Sequence, residues 1–278
     1  MSAKICLVTG GTSGVGKSIA KALARSGATV ILVSRDAARG AAAAGELCAH
    51  AGHDRVEAMT ADLSSMDSVR ALADSFRRRH GELNVLSNNA ALLTITRRVT
   101  PDGVEAIFAT NYLGHFLLTN LLIDMLKASA PARVLTVSGQ PGVIARIRPR
   151  FDDPAAERGW TPLNATARAA LAKALFSLEL ARRLEGSGVT SNTFHPGLVR
   201  SGLASRLPWY LRIPASLAMA FLPADSATGC FLAFSPDVEG VTGGFFSGTK
   251  AVPFRPPYDA REAAQALWDS SARLCGLR

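Results

Sequence analysis

Short runs of β-branched and other apolar residues alternate with longer, Ala-rich segments of helical periodicity along the first half of the chain. This alternation is typical of βαβ units, which build a parallel sheet covered by helices on both faces. The apolar runs predict seven strands, at residues 5–8, 29–33, 56–60, 83–87, 133–137, 190–194 and 243–246. The periodic segments predict five helices, at residues 15–26, 39–50, 65–80, 104–127 and 165–185.

The predicted elements describe one α/β domain across residues 1–278, a Rossmann-like, doubly wound parallel sheet of about seven strands flanked by helices. Neither an internal repeat nor a Pro/Gly/Ser-rich linker divides the sequence. Two proline-containing segments, residues 140–164 and 196–227, interrupt the alternation. Because open α/β sheets bind ligands beyond the carboxyl ends of their strands, we assign both segments to the walls of a substrate pocket.

The second of these segments is mostly apolar, which predicts an apolar small-molecule substrate. The alternatives for it are a dimer interface, a lid that touches a membrane, and irregular surface. Its longest uncharged stretch, residues 213–224, contains two prolines and is too short to span a bilayer. We therefore expect no transmembrane segment here.

The composition excludes several classes of protein. The 278 residues are 48% hydrophobic and 19% charged, with 24 Gly and 14 Pro, which excludes disordered and collagen-like chains. The net charge is +9, but the basic residues are scattered, so we expect an anionic small molecule rather than a nucleic acid as the partner. Four widely spaced cysteines predict reduced thiols and no metal site, and no signal peptide precedes the first strand, which favours a cytoplasmic protein.

A glycine-rich turn directly follows the first predicted strand and opens into the first helix. Its glycines permit a tight turn, let backbone N–H groups approach a pyrophosphate, and let the helix pack closely against the strand. The strand before the turn and the helix after it together predict a dinucleotide-binding site. The candidate residues are Gly10, Thr12, Ser13, Gly14, Val15 and Gly16.

The end of the second strand is where this type of site distinguishes NAD from NADP. Ser34 and Arg35 offer a hydroxyl and a guanidinium, which suit a ribose 2′-phosphate. Asp36 is the competing candidate, because an acidic side chain that turns inward would bind a 2′-hydroxyl instead. We favour NADP(H) as the cofactor.

Motifs at the ends of several predicted elements resemble those of the short-chain dehydrogenase/reductase family, and the resemblance covers essentially the whole chain. Residues 111–116, 175–184, 195–197 and 266–271 are most similar to the retinol-dehydrogenase-like branch. The motifs that carry the resemblance are Thr9-Gly-x-x-x-Gly14-x-Gly16, Asp62-Leu63, Asn88-Asn89-Ala90, Asn111 and Pro196-Gly197.

The resemblance implies roles for further cofactor residues. Asp62 and Leu63 would flank the adenine, and Asn89 and Ala90 would line the cofactor ribose. The segment that begins at Pro196 and Gly197 would meet the nicotinamide, with Ser201 in a position that the family usually gives to Thr. Ala91 departs from the family motif, which has Gly there, and we expect the added methyl group to be tolerated.

The catalytic half of the family pattern is not matched. By the resemblance, the reaction is carried by a Ser after the fifth strand and by a Tyr-x-x-x-Lys motif on the next helix, whose Tyr moves the hydroxyl proton. Those positions hold Gly139, Thr166 and Ala170 here. The three tyrosines of the chain are followed four residues later by Phe, Pro and Glu, so no shift of register restores the motif.

Four residues remain as catalytic candidates. Asn111 is the only family position that is kept, and its role is either catalytic or structural. Ser138 offers a neighbouring hydroxyl, Thr166 an aliphatic alcohol that lacks the acidity of a phenol, and Lys173 an amine one helical turn beyond Ala170. Ordinary carbonyl reduction by the family mechanism is therefore not expected.

Three functional interpretations follow. The first is an enzyme repurposed for a non-redox step such as cyclisation, isomerisation or dehydration, for which the small residues at the three replaced positions would enlarge the cavity. The second is an atypical NADPH-dependent reductase with another proton donor, and the third is a non-catalytic nucleotide-binding or partner protein. We also predict a homo-oligomer, since the apolar residues of helices 104–127 and 165–185 are too many for a single buried face.

Overall fold

A single eight-stranded sheet lies at the centre of the computed structural model, which describes residues 4–197 and 226–277. Its order is β3-β2-β1-β4-β5-β6-β7-β8, and all neighbours are parallel except β7 and β8. The strands are β1 (Ile5–Thr9), β2 (Thr29–Ser34), β3 (Val56–Thr60), β4 (Val85–Asn88), β5 (Ala132–Val137), β6 (Val189–His195), β7 (Phe245–Ser247) and β8 (Lys250–Ala251). The predicted doubly wound sheet is confirmed. The count of seven was one too low, because a two-residue edge strand carries no detectable period.

Helices cover both faces of the sheet. They are α1 (Gly14–Arg25), α2 (Ala37–Ala51), α3 (Met66–Arg79), α4 (Ala106–Phe108), α5 (Gly114–Leu121), α6 (Ile123–Ala128), α7 (Pro141–Ile144), α8 (Pro162–Arg183), α9 (Ala227–Phe234) and α10 (Ala260–Leu274). One core lies between the sheet and helices α3, α5, α8 and α10, and the other between the sheet and helices α1, α2 and α9. This arrangement buries both faces of the central strands, as their continuous apolar sequences require.

The helix predicted at 104–127 is interrupted. Glu105 caps its first turn, accepting hydrogen bonds from the N–H groups of Ile107 and Phe108. A π-helical turn (Ala109–Leu113) then separates α4 from α5, and Leu122 separates α5 from α6. The apolar periodicity continues through these changes, which is why the sequence pattern indicated one helix.

The carboxy-terminal helix α10 covers the apolar faces of α5 and α8. The Trp268 ring packs on Phe116 and Phe176, with ring centroids 5.0 and 5.9 Å apart. The hydroxyls of Tyr112 and Ser271 are 2.7 Å apart and hydrogen-bond. The argument that the apolar residues of these helices are too many for one buried face was therefore wrong. Helix α10 of the same chain covers the additional apolar face of α5 and α8. A homo-oligomer stays a prediction, but those covered faces do not supply its interface.

A glycine is required where α5 begins. A methyl group added to Gly114 would overlap the carbonyl oxygen of Leu63, in the loop after β3, and would lie 3.0 Å from its Cβ. Because this contact is with the backbone of Leu63, α5 could make room for a methyl group only if the loop after β3 moved. The sequence Leu-Gly-His at this point therefore sets the distance between α5 and the loop that the resemblance places beside the adenine.

We expect Gly114→Ala to lower the free energy of unfolding by about 1–3 kcal/mol, since overpacking of a close backbone contact is destabilising. Gly45→Ala in α2 is the matched control, because nothing lies within 4 Å of its added methyl group. That control should be stabilising by roughly 0.5–1 kcal/mol through helix propensity alone. Urea denaturation of the two variants measures both effects. Equal effects of the two substitutions would contradict the proposed close contact.

Candidate active site

The turn between β1 and α1 has the shape of a phosphate-binding site. Gly10 and Gly14 have φ of +65° and +53°, a region that side chains other than Gly disfavour. A methyl group on Gly16 would lie 2.5 Å from the carbonyl oxygen of Gly10, so only Gly allows α1 to approach the turn this closely. The Ser13 side chain makes no capping hydrogen bond and the first turn of α1 has no acidic residue. Its N–H groups and dipole therefore favour an anion, as a dinucleotide pyrophosphate requires.

The loop after β4 is tied to the same turn by one hydroxyl. The Oγ1 atom of Thr9 accepts hydrogen bonds from the backbone N–H groups of Asn89 (2.8 Å) and Ala90 (3.1 Å). The Asn89 side chain in turn donates to the carbonyl oxygen of Ser87 at 2.9 Å. The predicted ribose-lining residues and the glycine-rich turn thus form one continuous edge. Thr9 was not singled out as a site residue, although its place before the first glycine was visible in the motif.

The end of β2 separates the two candidates for ribose recognition. The Asp36 carboxylate accepts a hydrogen bond from the backbone N–H of Arg39 at 3.0 Å and so caps helix α2. The Ser34 hydroxyl donates to the Asp36 carbonyl oxygen at 2.9 Å. Arg35 is exposed. The acidic group is therefore committed to a helix cap, whereas the guanidinium is accessible to a ligand.

The remaining predicted cofactor residues follow β3 and β6. The carboxylate of Asp62 accepts hydrogen bonds from the backbone and the hydroxyl of Ser64 at 2.9 and 2.8 Å, and Leu63 is buried. Pro196 and Gly197 come directly after β6, with φ of +75° at Gly197. Ser201 and the apolar part of the predicted pocket wall, residues 198–225, lie outside the described residues.

Both hydroxyls proposed as catalytic substitutes are engaged by backbone. Ser138, directly after β5, donates to the carbonyl oxygen of Ala170 at 2.7 Å and is 7% exposed. Thr166 donates to the carbonyl oxygen of Pro162, one turn earlier in α8, at 2.8 Å. The two hydroxyls therefore attach α8 to the strand and close its first turn, and neither points a free O–H group at a ligand.

The space beside the replaced positions is filled. A methyl group on Gly139 would lie 2.8 Å from Cγ2 of Ile144 and 3.5 Å from Cβ of Ala170. Ile144, in α7, is 2% exposed and packs in one apolar cluster with Ala170, Ala174 and Phe245. The expectation that small residues enlarge the cavity here was wrong, because a neighbouring side chain has moved into the volume. No signal in the sequence connects Ile144 to this position before α7 is folded.

Comparison with known proteins supplies the family. The model of the short chain dehydrogenase family matches residues 4–149. Retinol dehydrogenase 14 of Mus musculus is 39% identical over 297 residues, an alignment that covers 100% of this chain and 87% of that protein. This chain belongs to the short-chain dehydrogenase family. Its similarity to retinol dehydrogenases places it in their branch, as the sequence motifs indicated.

Solved structures support the same assignment. The structure of an uncharacterized protein from Mycobacterium Paratuberculosis superimposes with a TM-score of 0.76 at 31% identity, covering 99% of this chain and 94% of that one. The NADP complex of Pseudomonas aeruginosa RhlG superimposes with a TM-score of 0.63 at 26% identity, covering 87% and 93%. A protein to which this chain is similar in fold and sequence therefore binds NADP.

Asn111 has a structural role in this family member. Its side-chain oxygen accepts from the N–H of Leu92 at 2.6 Å, and its side-chain nitrogen donates to the carbonyl oxygen of Leu92 at 3.1 Å. Both ends of the amide are used to hold the loop after β4 against the π-helical turn. Its backbone carbonyl accepts from Nδ1 of His115 at 3.0 Å. These contacts support the structural role of the two that the sequence left open for Asn111.

His115 joins this turn to the cofactor edge. Its Nε2 atom lies 2.9 Å from the Thr9 hydroxyl, while Nδ1 bonds the Asn111 carbonyl. Burial, reinforced by the positive charge of Lys173, lowers the pKa of His115 to about 3. The imidazole is therefore neutral, Nδ1 carries the proton, and the Thr9 hydroxyl donates to Nε2. His115 stabilises the site's shape and does not serve as an acid.

Lys173 is the one charged candidate, and its amine is isolated. The contacts of Ala170 with Ser138 and of Ser177 with Ser191 place it in the middle of the face of α8 that packs on the sheet. The residue is 7% exposed, and its amine has no hydrogen-bond partner among the residues described. Burial lowers the pKa of Lys173 to about 8. An amine in this state exchanges protons near physiological pH.

Neither 4–197 nor 226–277 contains a helix that is both long and apolar enough to span a bilayer. The same residues hold no group of three or more His, Cys, Asp or Glu side chains arranged to bind a metal ion.

We expect Lys173→Met to stabilise the protein. The pKa of Lys173 is lowered from 10.5 to about 8 in the folded chain, so the unfolded chain binds more protons between these values and wild-type stability rises with pH across that window. Below it, the Met variant should be more stable by roughly 3 kcal/mol, and across the window its stability should rise less steeply with pH than that of the wild type. Urea denaturation at about pH 7 and about pH 10 measures both. Lys127→Met, at an exposed position in α6, is the control, and equal slopes in the two variants would contradict the assignment.

Proposed function

We propose that this chain binds NADP(H) and performs a non-redox step, namely a cyclisation, isomerisation or dehydration, on an apolar small molecule. The observation that carries the proposal is that the positions which the resemblance assigns to the catalytic Ser, Tyr and Lys of the family hold no free proton donor. Gly139 and Ala170 have no polar side chain, and the Thr166 hydroxyl is bonded to the Pro162 carbonyl. A positioned general acid contributes about 10²- to 10⁴-fold to such reactions, so hydride transfer to a carbonyl is disfavoured here.

The residues present fit a nicotinamide dinucleotide. The first turn of α1 has neither a side-chain cap nor an acidic residue and so suits a pyrophosphate, and the edge formed by Asn89 and Ala90 continues from it. In its relatives the bound nucleotide supplies or accepts a hydride. In this chain the same residues would hold it as a rigid wall of the pocket, and its binding would stabilise the fold by mass action.

An apolar substrate is supported by two features. The named relative acts as a retinol dehydrogenase, and retinol is an apolar molecule. The segment after β6 is rich in large apolar residues and in a doubly wound sheet follows the strand end where substrates bind. Within the site, the Thr166 and Ser138 contacts keep α8 and the end of β5 in fixed positions for orienting such a molecule.

The atypical reductase is the second candidate, and Lys173 is the observation that favours it. Its buried amine has no hydrogen-bond partner within the described chain, and its lowered pKa makes proton exchange accessible at neutral to mildly alkaline pH. The two candidates differ in stoichiometry. A reductase consumes one NADPH per product, whereas a non-redox enzyme leaves the nicotinamide absorbance unchanged. The third candidate, a non-catalytic binding protein, would bind nucleotide without any turnover.

We further propose a homo-oligomer whose interface lies outside the faces of α5 and α8 that α10 covers. Light scattering at micromolar concentration tests it, and a monomer would contradict it.

We expect the chain to bind NADP(H) more tightly than NAD(H). Arg35 is exposed at the end of β2, whereas the Asp36 carboxylate is used to cap α2. Arg35→Ala should weaken NADPH binding by about 10- to 100-fold and leave NADH binding unchanged, since one charge-assisted contact is removed. Titration calorimetry with both nucleotides measures this, with Arg25→Ala, exposed at the end of α1, as the control. Equal affinities for the two nucleotides would contradict the NADP assignment.

We expect no oxidation of NADPH by the wild type with a broad panel of ketones. Combining Gly139→Ser, Thr166→Tyr and Ala170→Lys should raise the rate, and adding Ile144→Ala should raise it further, because Ile144 fills the space that a side chain at position 139 needs. Single restorations should do little, since the three residues act as a unit. The rate of NADPH oxidation is measured from the decrease in NADPH absorbance in the presence of each ketone. Stoichiometric NADPH consumption by the wild type would favour the atypical reductase.

A further inference from the structure

A second cavity lies away from the cofactor edge, between α8, β7 and the segment that joins β8 to α10. Its volume is about 340 Å³, which is within the range of small-molecule sites, about 300–1,000 Å³. The large side chains in its wall are apolar, and the Phe245 and Phe254 rings stack with centroids 5.9 Å apart. Ala174 and Leu178 of α8 form the facing side. The cavity therefore offers a continuous apolar surface to a ligand.

One polar side chain interrupts this surface. Thr193, on β6, is the only lining residue among those described that has a polar side chain, and it is 3% exposed. Its backbone N–H is bonded to the carbonyl oxygen of Gly244, whereas its hydroxyl has no partner in the described structure. Because Thr193 lines the cavity, a ligand oxygen there would give its hydroxyl a hydrogen-bond partner.

The cavity is separate from the proposed nucleotide site. Ala170 and Ile144 pack with Ala174 and Phe245 in one cluster, which forms a wall between the replaced catalytic positions and the cavity. Among the described residues, the lining contains no Lys, Arg, Asp or Glu. A ligand that carries a charge would lose its hydration here without finding a counter-ion, so the lining selects a neutral molecule.

We propose that this cavity binds a linear aliphatic alcohol, with the hydrocarbon chain against Phe245, Phe254 and Leu178 and the hydroxyl at Thr193. The hydrocarbon chain contributes affinity by leaving water, and the hydroxyl fixes its direction by hydrogen-bonding the Thr193 side chain. The site does not depend on the proposed reaction. We expect the alcohol to bind whether or not nucleotide is present. Each proposal can therefore fail without affecting the other.

A chain-length series tests the cavity. The probes are straight-chain primary alcohols from hexan-1-ol to tetradecan-1-ol, titrated by calorimetry into the wild-type protein. Affinity should rise about fourfold per added methylene until the cavity is full and then stay level. Adsorption to the outer surface would give no such limit, so a steady rise across the series would overturn the proposal. Saturating NADPH should leave the affinity unchanged, and competition would place the alcohol in the nucleotide site instead.

Variants locate the site. Thr193→Val removes only the hydroxyl, so it should weaken octan-1-ol binding about tenfold and leave octane binding unchanged. Ala174→Phe should abolish binding of both probes by filling the cavity, while Ala41→Phe, at an exposed position of α2, should not. If Ala174→Phe does not fold, Leu178→Trp, a partly exposed lining residue, fills the same space. Unchanged binding in the filled variants would overturn the proposal. A decrease in alcohol affinity as the protein concentration rises would also overturn it, because it would show that a second copy of the chain covers this face.

Discussion

The hydroxyl of Thr9 holds together the parts of the site that the chain places far apart. It accepts the N–H groups of Asn89 and Ala90 and donates to Nε2 of His115, so it connects β1, the loop after β4 and α5 through a single atom. The same oxygen lies 3.3 Å from the carbonyl oxygen of Ser87, a longer contact than the 2.9 Å to Nε2, which receives the single hydroxyl proton. The arrangement works only while the imidazole is neutral, which the burial of His115 ensures. The cofactor edge is thus kept in shape before any ligand binds.

The other side of the site has been reorganised around packing. In relatives with the family motif, a Ser, a Tyr and a Lys would project into the space where Gly139, Thr166 and Ala170 stand. Here Ile144 lies beside Gly139 and packs in one cluster with Ala170. Since side chains in a protein interior fill volume to near crystal density, a side chain at position 139 would need Ile144 to move.

Helix α8 carries two of the candidate catalytic positions and also forms one side of the cavity. Its first turns carry Thr166 and Ala170, and its middle carries Lys173, whose burial lowers the pKa of its amine. Ala174 and Leu178 lie four and eight residues after Ala170, on the same side of the helix, and border the cavity. Helix α10 then covers the face shared with α5, which leaves the cavity as an apolar surface that no described element fills. A single helix with small residues at Ala170 and Ala174 therefore allows both the collapsed catalytic space and the separate cavity.

The sequence alone predicted the alternation of strands and helices in the first half of the chain and the glycine-rich turn after β1, because periodicity and turn chemistry depend on neighbours in the chain. It also showed the absence of a Tyr-x-x-x-Lys motif, which is a matter of residue identity. It did not show that α10 covers α5 and α8, since the Tyr112–Ser271 contact joins residues 159 positions apart. Nor did it show that Ile144 fills the space beside Gly139. It also did not show that the side chains of Ser138 and Asp36 form hydrogen bonds with backbone atoms. Volume and hydrogen-bond partners are settled by distances in the folded chain, so only the tertiary structure decided them.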